Sequence, residues 1–306
     1  MRYYSYNEYL KNKFGTKLYK LSLSISNSCP NRDGKKGIGG CIFCSAGGSG
    51  DFASSIGKSL PLQIKEAKER VKGKYKGSEY VAYFQSFTST YISPQKLREH
   101  LDCVIEMPEI AAVSIATRAD CLNDEIMDVL KESAMKKPLT VELGLQTIHE
   151  STAQLINRCC ELSEFENAIK KLKAIGAEVV LHVILGLPFE TPEMMLQTVS
   201  YVAKSGADAV KLQLLHVLKG TRLCEMYENG EFRTLEPKEY YELVGKALEI
   251  LPPDMVICRL TGDGAKRDLV APLWSADKKR VLNDLNRYLN ENDIIQGRNY
   301  KISSAQ

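Results

Sequence analysis

Three cysteines in one glycine-rich loop constrain this 306-residue chain more than any other feature of its sequence. Eleven residues separate Cys29 from Cys41, and two separate Cys41 from Cys44. Thiolates bind iron tightly, and a Cys-x-x-Cys pair can hold neighbouring corners of an iron–sulfur cluster. Glycines between the cysteines allow the backbone to curl around the cluster and donate N–H groups to its sulfides. The spacing therefore predicts a metal-cluster loop.

The loop offers three thiolates, which is one fewer than a closed metal site needs. A structural zinc ion normally takes four protein ligands, and the next cysteine, Cys103, falls within a predicted amphipathic helix. A [4Fe–4S] cluster on three thiolates keeps one iron open to an outside ligand. Three alternatives stay open here: a disulfide pair plus a free thiol, a zinc site with a distant fourth ligand, and a plain turn with incidental cysteines.

Together with the motifs described below, this loop resembles that of the radical S-adenosylmethionine (SAM) superfamily. The long first spacing is similar to the branch that contains the elongator catalytic subunit and the YhcC/YtqA-like proteins. The resemblance implies a [4Fe–4S] cluster held by Cys29, Cys41 and Cys44. It also implies that SAM binds the open iron through its amino and carboxylate groups.

Length, composition and charge limit the domain organisation, the cellular compartment and the partners that we expect. The chain is long enough for one large α/β domain or two small ones. We see no signal peptide and no apolar run as long as a membrane span, so we expect a cytoplasmic protein with no membrane partner. Nine cysteines, an odd number, suit a reducing compartment better than a disulfide framework. The net charge of +3 carries no global signature of polyanion binding.

Strands and helices alternate along the chain and predict its architecture. Six strands are predicted, at residues 18–26, 79–86, 110–117, 139–147, 178–185 and 209–215. Helices between them begin at capping signals: Ser93-Pro94, a capping box over 163–166, and Thr191-Pro192. Alternating strand–helix units predict an α/β fold, a partial parallel (β/α)6 TIM-like barrel of the radical SAM type over residues 1–250. The cluster loop is placed at 27–50, and 251–306 is predicted to be a C-terminal extension packed on the barrel.

Candidate cofactor contacts fall where the predicted strands end, which is the edge at which parallel barrels bind ligands. After strand two comes a hydroxyl-rich segment with Gln85 and Thr88, where the family contacts the SAM amino group. Gln146 resembles the glutamine of a Gly-x-Gln segment that helps to hold SAM in coproporphyrinogen-dehydrogenase-like enzymes. Arg158 matches an Asn-Arg motif whose guanidinium pairs with the SAM carboxylate. Leu187 belongs to a segment close to the Gly-Leu-Pro-x-x-Thr signature of the adenine pocket.

Three further positions are less specific. His182 stands where some relatives have an aspartate ribose ligand, although a histidine on an apolar strand is about as often a core residue. Phe43 is placed to pack near adenine, or simply in the core of the loop. Residues 117–120, Thr-Arg-Ala-Asp, are similar to a Thr-Arg-Pro-Asp motif of the elongator-like branch, although Ala119 replaces the usual proline. Ala116 stands where many relatives carry a glutamate, so we assign no carboxylate contact there.

The resemblance implies reductive cleavage of SAM to methionine and a 5′-deoxyadenosyl radical, with electrons from an external flavodoxin or ferredoxin type of reductant. No catalytic residue is assigned. We expect a tRNA substrate, modified on the side chain of a wobble uridine. Two alternatives stay open: a radical enzyme acting on a small molecule such as a porphyrin precursor, and a zinc-binding RNA-interaction protein without catalysis.

A basic stretch gives the tRNA hypothesis limited support. Residues 58–76 carry seven lysines and arginines against two glutamates, and a second basic group, Lys278, Lys279, Arg280 and Arg287, lies on a predicted C-terminal helix. A solvated helix face explains the first stretch somewhat better than a phosphate-binding patch does.

Overall fold

The computed structural model describes residues 2–48, 53–262, 264 and 266–301. Its helices are α1 (Tyr6–Phe14), α2 (Leu60–Val71), α3 (Pro94–Ile105), α4 (Asp124–Lys136), α5 (Glu150–Leu155), α6 (Leu162–Ala174), α7 (Pro192–Lys204), α8 (Arg222–Glu228), α9 (Pro237–Ile250) and α10 (Lys278–Glu291). Its strands are β1 (Tyr19–Leu23), β2 (Tyr80–Phe84), β3 (Ile110–Thr117), β4 (Leu139–Gln146), β5 (Glu178–Leu185), β6 (Ala209–Leu214), β7 (Val217–Leu218), β8 (Val256–Arg259) and β9 (Leu269–Ala271).

One parallel sheet carries the fold. Its strand order is β1-β2-β3-β4-β5-β6-β8, and β7 pairs with β9 in a separate antiparallel ribbon. Helices alternate with the first six strands, as βαβ connections between parallel strands require. The predicted α/β partial barrel is confirmed. A seventh parallel strand, β8, comes from the segment predicted to be an extension, and the predicted boundary at residue 250 stays a prediction.

Two local predictions differ from the structure. The first strand ends at Leu23 and not at 26, because Gln63 of α2 bonds both backbone groups of Ser24: its Oε1 accepts from the N–H at 2.9 Å and its Nε2 donates to the carbonyl at 3.0 Å. The capping box predicted over 163–166 is also wrong. It is formed by Glu161 and Glu164, so α6 begins at Leu162.

The chain divides into two compact units. We call Leu10–Gly144 with Asn157–Val180 the cluster unit, and Met1–Tyr9, Leu145–Ile156 and Leu181–Gln306 the C-terminal unit. Residues 49 and 50 of the predicted cluster loop lie outside the described residues. Among the described residues, every helix is too short or too polar to cross a bilayer.

Apolar packing holds the cluster unit together. The sheet strands β1 to β4 bury large side chains completely, and Leu97, Leu101 and Leu130 of α3 and α4 are fully buried as well. α3 and α4 pack on each other. Each fully buried aliphatic side chain contributes about 1.5–3 kcal/mol relative to exposure. This packed layer gives the loops after the strands a fixed base.

A buried carboxylate interrupts this apolar layer. Glu142 of β4 is 1% exposed and accepts hydrogen bonds from Lys20 Nζ at 2.7 Å, Tyr83 Oη at 2.9 Å and Ser114 Oγ at 3.0 Å. The donors come from β1, β2 and β3, so four neighbouring strands each contribute one polar side chain. A buried carboxylate is tolerated when paired and hydrogen-bonded in this way.

In the C-terminal unit, α7 packs against α9. Tyr240 of α9 is fully buried, and its hydroxyl donates to the Leu260 carbonyl at 3.0 Å. Trp274 fixes the segment that precedes α10 by donating its indole N–H to the Leu235 carbonyl at 3.1 Å.

The start of α4 provides a stability test of the fold. The Asn123 side chain accepts the Ile126 N–H at 2.9 Å and so satisfies one of the free donors of the first turn. We expect Asn123→Ala to lower the free energy of unfolding by about 1 kcal/mol, measured by urea denaturation. Asn283→Ala, at an exposed position within α10, is the control and should change the midpoint little. Equal effects of the two substitutions would contradict the capping role.

Candidate functional site

The cysteine loop leaves β1 and folds back on itself through backbone hydrogen bonds. Arg32 N–H donates to the Cys29 carbonyl at 2.8 Å, Gly40 N–H to the Asn31 carbonyl at 2.8 Å, and Cys44 N–H to the Cys41 carbonyl at 2.9 Å. Gly40 has a φ of 84°, a conformation that favours glycine. These turns place the three predicted ligand cysteines in one loop of the cluster unit.

Burial and neighbouring groups shift the pKa of the Cys41 thiol. Burial, followed by the neighbouring Cys44 thiol, raises the pKa of Cys41 to about 12, while Arg118 and a hydrogen bond from Asn31 oppose the rise. Cys29 raises it further, so the three sulfurs lie close enough to act on one another. At neutral pH the thiol of the metal-free chain keeps its proton. Metal ligation must therefore release it, as expected for a thiolate site.

A single tetrahedral ion holds its ligand atoms close to one another. Four thiolates around one tetrahedral zinc, at about 2.3 Å from the metal, lie about 3.8 Å from one another. Among the described residues, the set of three candidate ligand atoms within 4.8 Å of one another is Asp120, Cys160 and Glu164, and the loop thiols form no such set. Three thiolates in one loop are soft donors of the kind that iron–sulfur groups and zinc both take.

The Asp120 carboxylate of this set is already paired with a guanidinium. Arg118 bonds both Asp120 oxygens at 2.8 Å, through Nε and one Nη. The same guanidinium donates to the carbonyls of Arg158 at 2.8 Å and Cys159 at 2.9 Å. No carboxylate contact was assigned to residues 117–120 from the sequence. In the structure, Arg118 of this segment holds the turn that carries Arg158.

That turn is also attached directly to the cysteine loop. Asn157 and Cys159 have φ values of 55° and 50°, so two non-glycine residues are held in the left-handed region. The Asn157 side chain donates to the carbonyls of Gly40 at 2.8 Å and Ile38 at 3.2 Å. The Asn31 side chain donates back to the Asn157 carbonyl. We call this two-way connection the asparagine interlock.

Arg158 lies inside the cluster unit, within this turn. It is 2% exposed, its Nε donates to the Cys160 carbonyl at 2.9 Å, and its guanidinium lies 5.2 Å from the Phe165 ring centroid. The backbone on both sides is fixed by the Arg118 clamp and the asparagine interlock. A guanidinium held in this way can pair with a carboxylate without first being ordered.

The remaining predicted contacts of the cluster unit stay predictions. Gln85 is half-buried and accepts from the Ser22 hydroxyl at 3.1 Å, while Thr88 is buried on the turn after β2. Phe87 between them has a φ of 53°, and its ring lies so close to Gly48 that a Cβ there would be 2.3 Å away. Phe43 is partly exposed in the loop.

Gln146, His182 and Leu187 belong to the C-terminal unit. Gln146, the last residue of β4, has a φ of 65°, and its buried Oε1 has no hydrogen-bond partner among the described residues. A strained residue with an orphaned buried acceptor is typical of a ligand contact, and SAM carries an ammonium donor. Leu187 is 2% exposed and follows Gly186, whose φ is 92°. His182 is half-buried on β5.

Comparison with known proteins agrees with this geometry. The model of the Radical SAM superfamily matches residues 23–202, and that of the Radical_SAM C-terminal domain matches residues 207–291. The chain belongs to the radical SAM superfamily. Members of this superfamily use a [4Fe–4S] cluster and SAM, and both predicted cofactors are thereby confirmed.

Sequence similarity to two relatives extends over nearly the whole chain. YtqA of Bacillus subtilis strain 168 is 42% identical over 297 residues, which are 97% of this chain and 92% of that protein. YhcC of Escherichia coli K12 is 33% identical over 93% of this chain and 91% of that protein. The predicted relation to the YhcC/YtqA-like family is confirmed.

More distant similarities reach the elongator branch. The tRNA uridine(34) acetyltransferase of Methanocaldococcus infernus is 31% identical over 156 residues, 50% of this chain and 28% of that protein. The solved structure of Elp3 from the same organism has a TM-score of 0.68 at 18% identity, covering 91% of this chain and 64% of that one. At this identity the structural likeness shows the fold alone.

Iron content tests the ligand assignment. We expect anaerobically reconstituted protein to bind about four irons and four sulfides per chain. Cys29→Ala, Cys41→Ala or Cys44→Ala should each abolish the cluster, because no other thiol in the loop can replace the lost ligand. Cys224→Ala, in α8 of the C-terminal unit, is the control and should keep full loading. Iron and sulfide analysis with absorption spectra gives the readout, and full loading of the triple loop mutant would refute the assignment.

Proposed function

We propose that this radical SAM enzyme acts on tRNA and modifies the side chain of a wobble uridine. One observation carries the proposal: half of the chain is similar in sequence to an enzyme whose name states that it acts on uridine 34 of tRNA. A likeness to coproporphyrinogen III oxidase of Escherichia coli, with a TM-score of 0.51 at 14% identity, concerns the fold alone. It gives no support to a porphyrin-type substrate.

When bound, the [4Fe–4S] cluster supplies one electron that cleaves SAM to methionine and a 5′-deoxyadenosyl radical. In this proposal Cys29, Cys41 and Cys44 hold the cluster, and an external flavodoxin or ferredoxin type of protein delivers the electron. Arg158 binds the SAM carboxylate, and Gln146 Oε1 accepts a hydrogen bond from its amino group.

The other predicted positions complete the binding of SAM in this proposal. Thr88 and Gln85 offer a hydroxyl and an amide to the polar end of SAM, and His182 offers a ring nitrogen to the ribose. Leu187 and Phe43 provide apolar surface for the adenine. Buried apolar side chains such as Leu187 also exclude water, which would otherwise compete for the reactive species.

The basic stretch around α2 is less positive in the structure than in the sequence. Lys58 pairs with Glu66 at 2.6 Å, Lys68 with Glu109 at 3.1 Å, and Lys72 with Glu69 at 3.5 Å. Arg70 donates to the Ser54 hydroxyl at 2.8 Å. Three exposed lysines have no ion pair among the described residues: Lys65, Lys74 and Lys76. These lysines are the cations that this face offers to phosphates.

Charge reversal at these lysines tests the tRNA interface. Lys65→Glu, Lys74→Glu and Lys76→Glu together should weaken tRNA binding and flatten its salt dependence, because each lost phosphate contact releases fewer counterions. Filter binding or fluorescence anisotropy at several salt concentrations measures both. The control reverses Lys131, Lys170 and Lys204, which are exposed elsewhere, with the same change in net charge. If the two triple mutants behave alike, this face is not the docking surface.

The substrate itself is tested in cells. Nucleoside analysis of tRNA with and without the gene should show loss of one modified uridine, restored by the wild-type gene but not by the Cys41→Ala variant. An unchanged nucleoside profile would refute the tRNA proposal while leaving the radical SAM assignment intact.

Arg158 provides a separate test of SAM binding. Arg158→Ala should weaken SAM binding at least tenfold, because it removes a charge-assisted hydrogen bond, worth about 1.5–3 kcal/mol, and no iron ligand. Equilibrium dialysis with SAM measures the affinity, and the cluster spectrum should stay unchanged. Lys171→Ala, at a half-exposed side chain of α6, is the control. Unaltered affinity would return Arg158 to a structural role in the turn.

A further inference from the structure

Asn31 contacts a predicted cluster ligand from inside the loop. It is fully buried, at 0% exposed, and its side-chain nitrogen lies 3.5 Å from the Cys41 sulfur, within hydrogen-bond distance for a sulfur acceptor. The same nitrogen donates to the Asn157 carbonyl. An amide has two N–H groups, so one can serve each acceptor.

Two features hold the Asn31 amide in this orientation. The first is the Asn157 carbonyl, which is fixed in a turn clamped by Arg118. The second is Gly37: a Cβ added there would lie 2.2 Å from Asn31 Oδ1 and 2.9 Å from Cys159 Sγ. Glycine at position 37 therefore leaves the space that the Asn31 amide occupies. Gly37 is not among the glycines with positive φ, so this space and not the backbone conformation requires glycine.

A hydrogen-bond donor to a ligand sulfur changes the reduction potential of the metal cluster that the sulfur binds. Reduction adds one negative charge to an iron–sulfur cluster, and part of that charge lies on its thiolate ligands. An N–H aimed at the sulfur stabilises the reduced form more than the oxidised form, so it raises the reduction potential.

We propose that Asn31 sets the reduction potential of the [4Fe–4S] cluster through its N–H···S hydrogen bond to Cys41. Asn31 is a positioning residue and not a catalytic one, because it acts through the ligand sulfur. The proposal rests on the assignment of Cys41 as a cluster ligand and is independent of the tRNA substrate.

A redox titration tests the proposal. The reconstituted wild type and Asn31→Leu are titrated without SAM, and the reduced cluster is followed by electron paramagnetic resonance. Leucine has a similar volume and no donor. The reduced form is expected to gain about 1.4 kcal/mol more from this hydrogen bond than the oxidised form, so loss of the bond should lower the reduced-to-oxidised ratio about tenfold at a given ambient potential. For a one-electron couple this corresponds to a midpoint lower by about 59 mV.

Gly37→Ala provides a second variant that keeps Asn31. The added methyl group displaces the amide from Cys41 without removing a ligand, so the midpoint should fall in the same direction by a smaller amount. Gly73→Ala is the matched control, because Gly73 has open space around its Cα and no positive φ. It should leave the midpoint unchanged.

Iron content separates the possible outcomes. A lower midpoint at full iron loading supports the proposal. An unchanged midpoint in Asn31→Leu overturns the proposal. Loss of iron in both Asn31→Leu and Gly37→Ala also overturns it, because the amide would then be needed for assembly of the cluster. Retention of the cluster in Cys41→Ala would instead refute the ligand assignment on which the proposal rests.

Discussion

The asparagine interlock is the contact on which the arrangement of the site depends. A loop with three cysteines and several glycines has many conformations of similar energy, so its own sequence cannot hold the sulfurs in place. Asn157 removes this freedom by bonding two loop carbonyls, and Asn31 bonds back to the turn that presents Asn157. Arg118 fixes the same turn from the end of β3. The loop and the turn with Arg158 are therefore ordered together.

This arrangement costs free energy in two ways, through strained backbone conformations and through buried charges. Asn157 and Cys159 both have positive φ, which costs about 1–3 kcal/mol at each non-glycine residue. The carboxylates of Asp120 and Glu142 are buried, and each is matched by a cation and further donors. Such costs persist only where surrounding structure over-determines them. The packed helices and strands of the cluster unit supply that stabilisation.

Much of the fold could be predicted from the sequence, because βαβ units leave clear periodic patterns and strong helix caps. Ser93 and Thr191 begin helices as their side chains predict. The seventh strand was missed, since four residues at Val256–Arg259 are too short for a periodic signal. The early end of β1 was missed for another reason: it depends on Gln63, a distant side chain that competes with the sheet for backbone groups.

In the site, too, features set by neighbouring residues could be predicted, and features set by distant contacts could not. The cysteine spacing and the Asn-Arg motif are local and could be recognised, but the roles of Asn31, Asn157 and Arg118 depend on contacts across as many as 126 residues of chain. A polar residue beside a ligand cysteine is the one signal that could have marked Asn31. Gly37 is explained by the position of the Asn31 amide. A side chain at position 37 would clash with that amide, whereas the backbone conformation of Gly37 does not itself require glycine. A glycine explained by a neighbour's side chain marks the space that this side chain occupies, here that of the Asn31 amide beside the Cys41 sulfur.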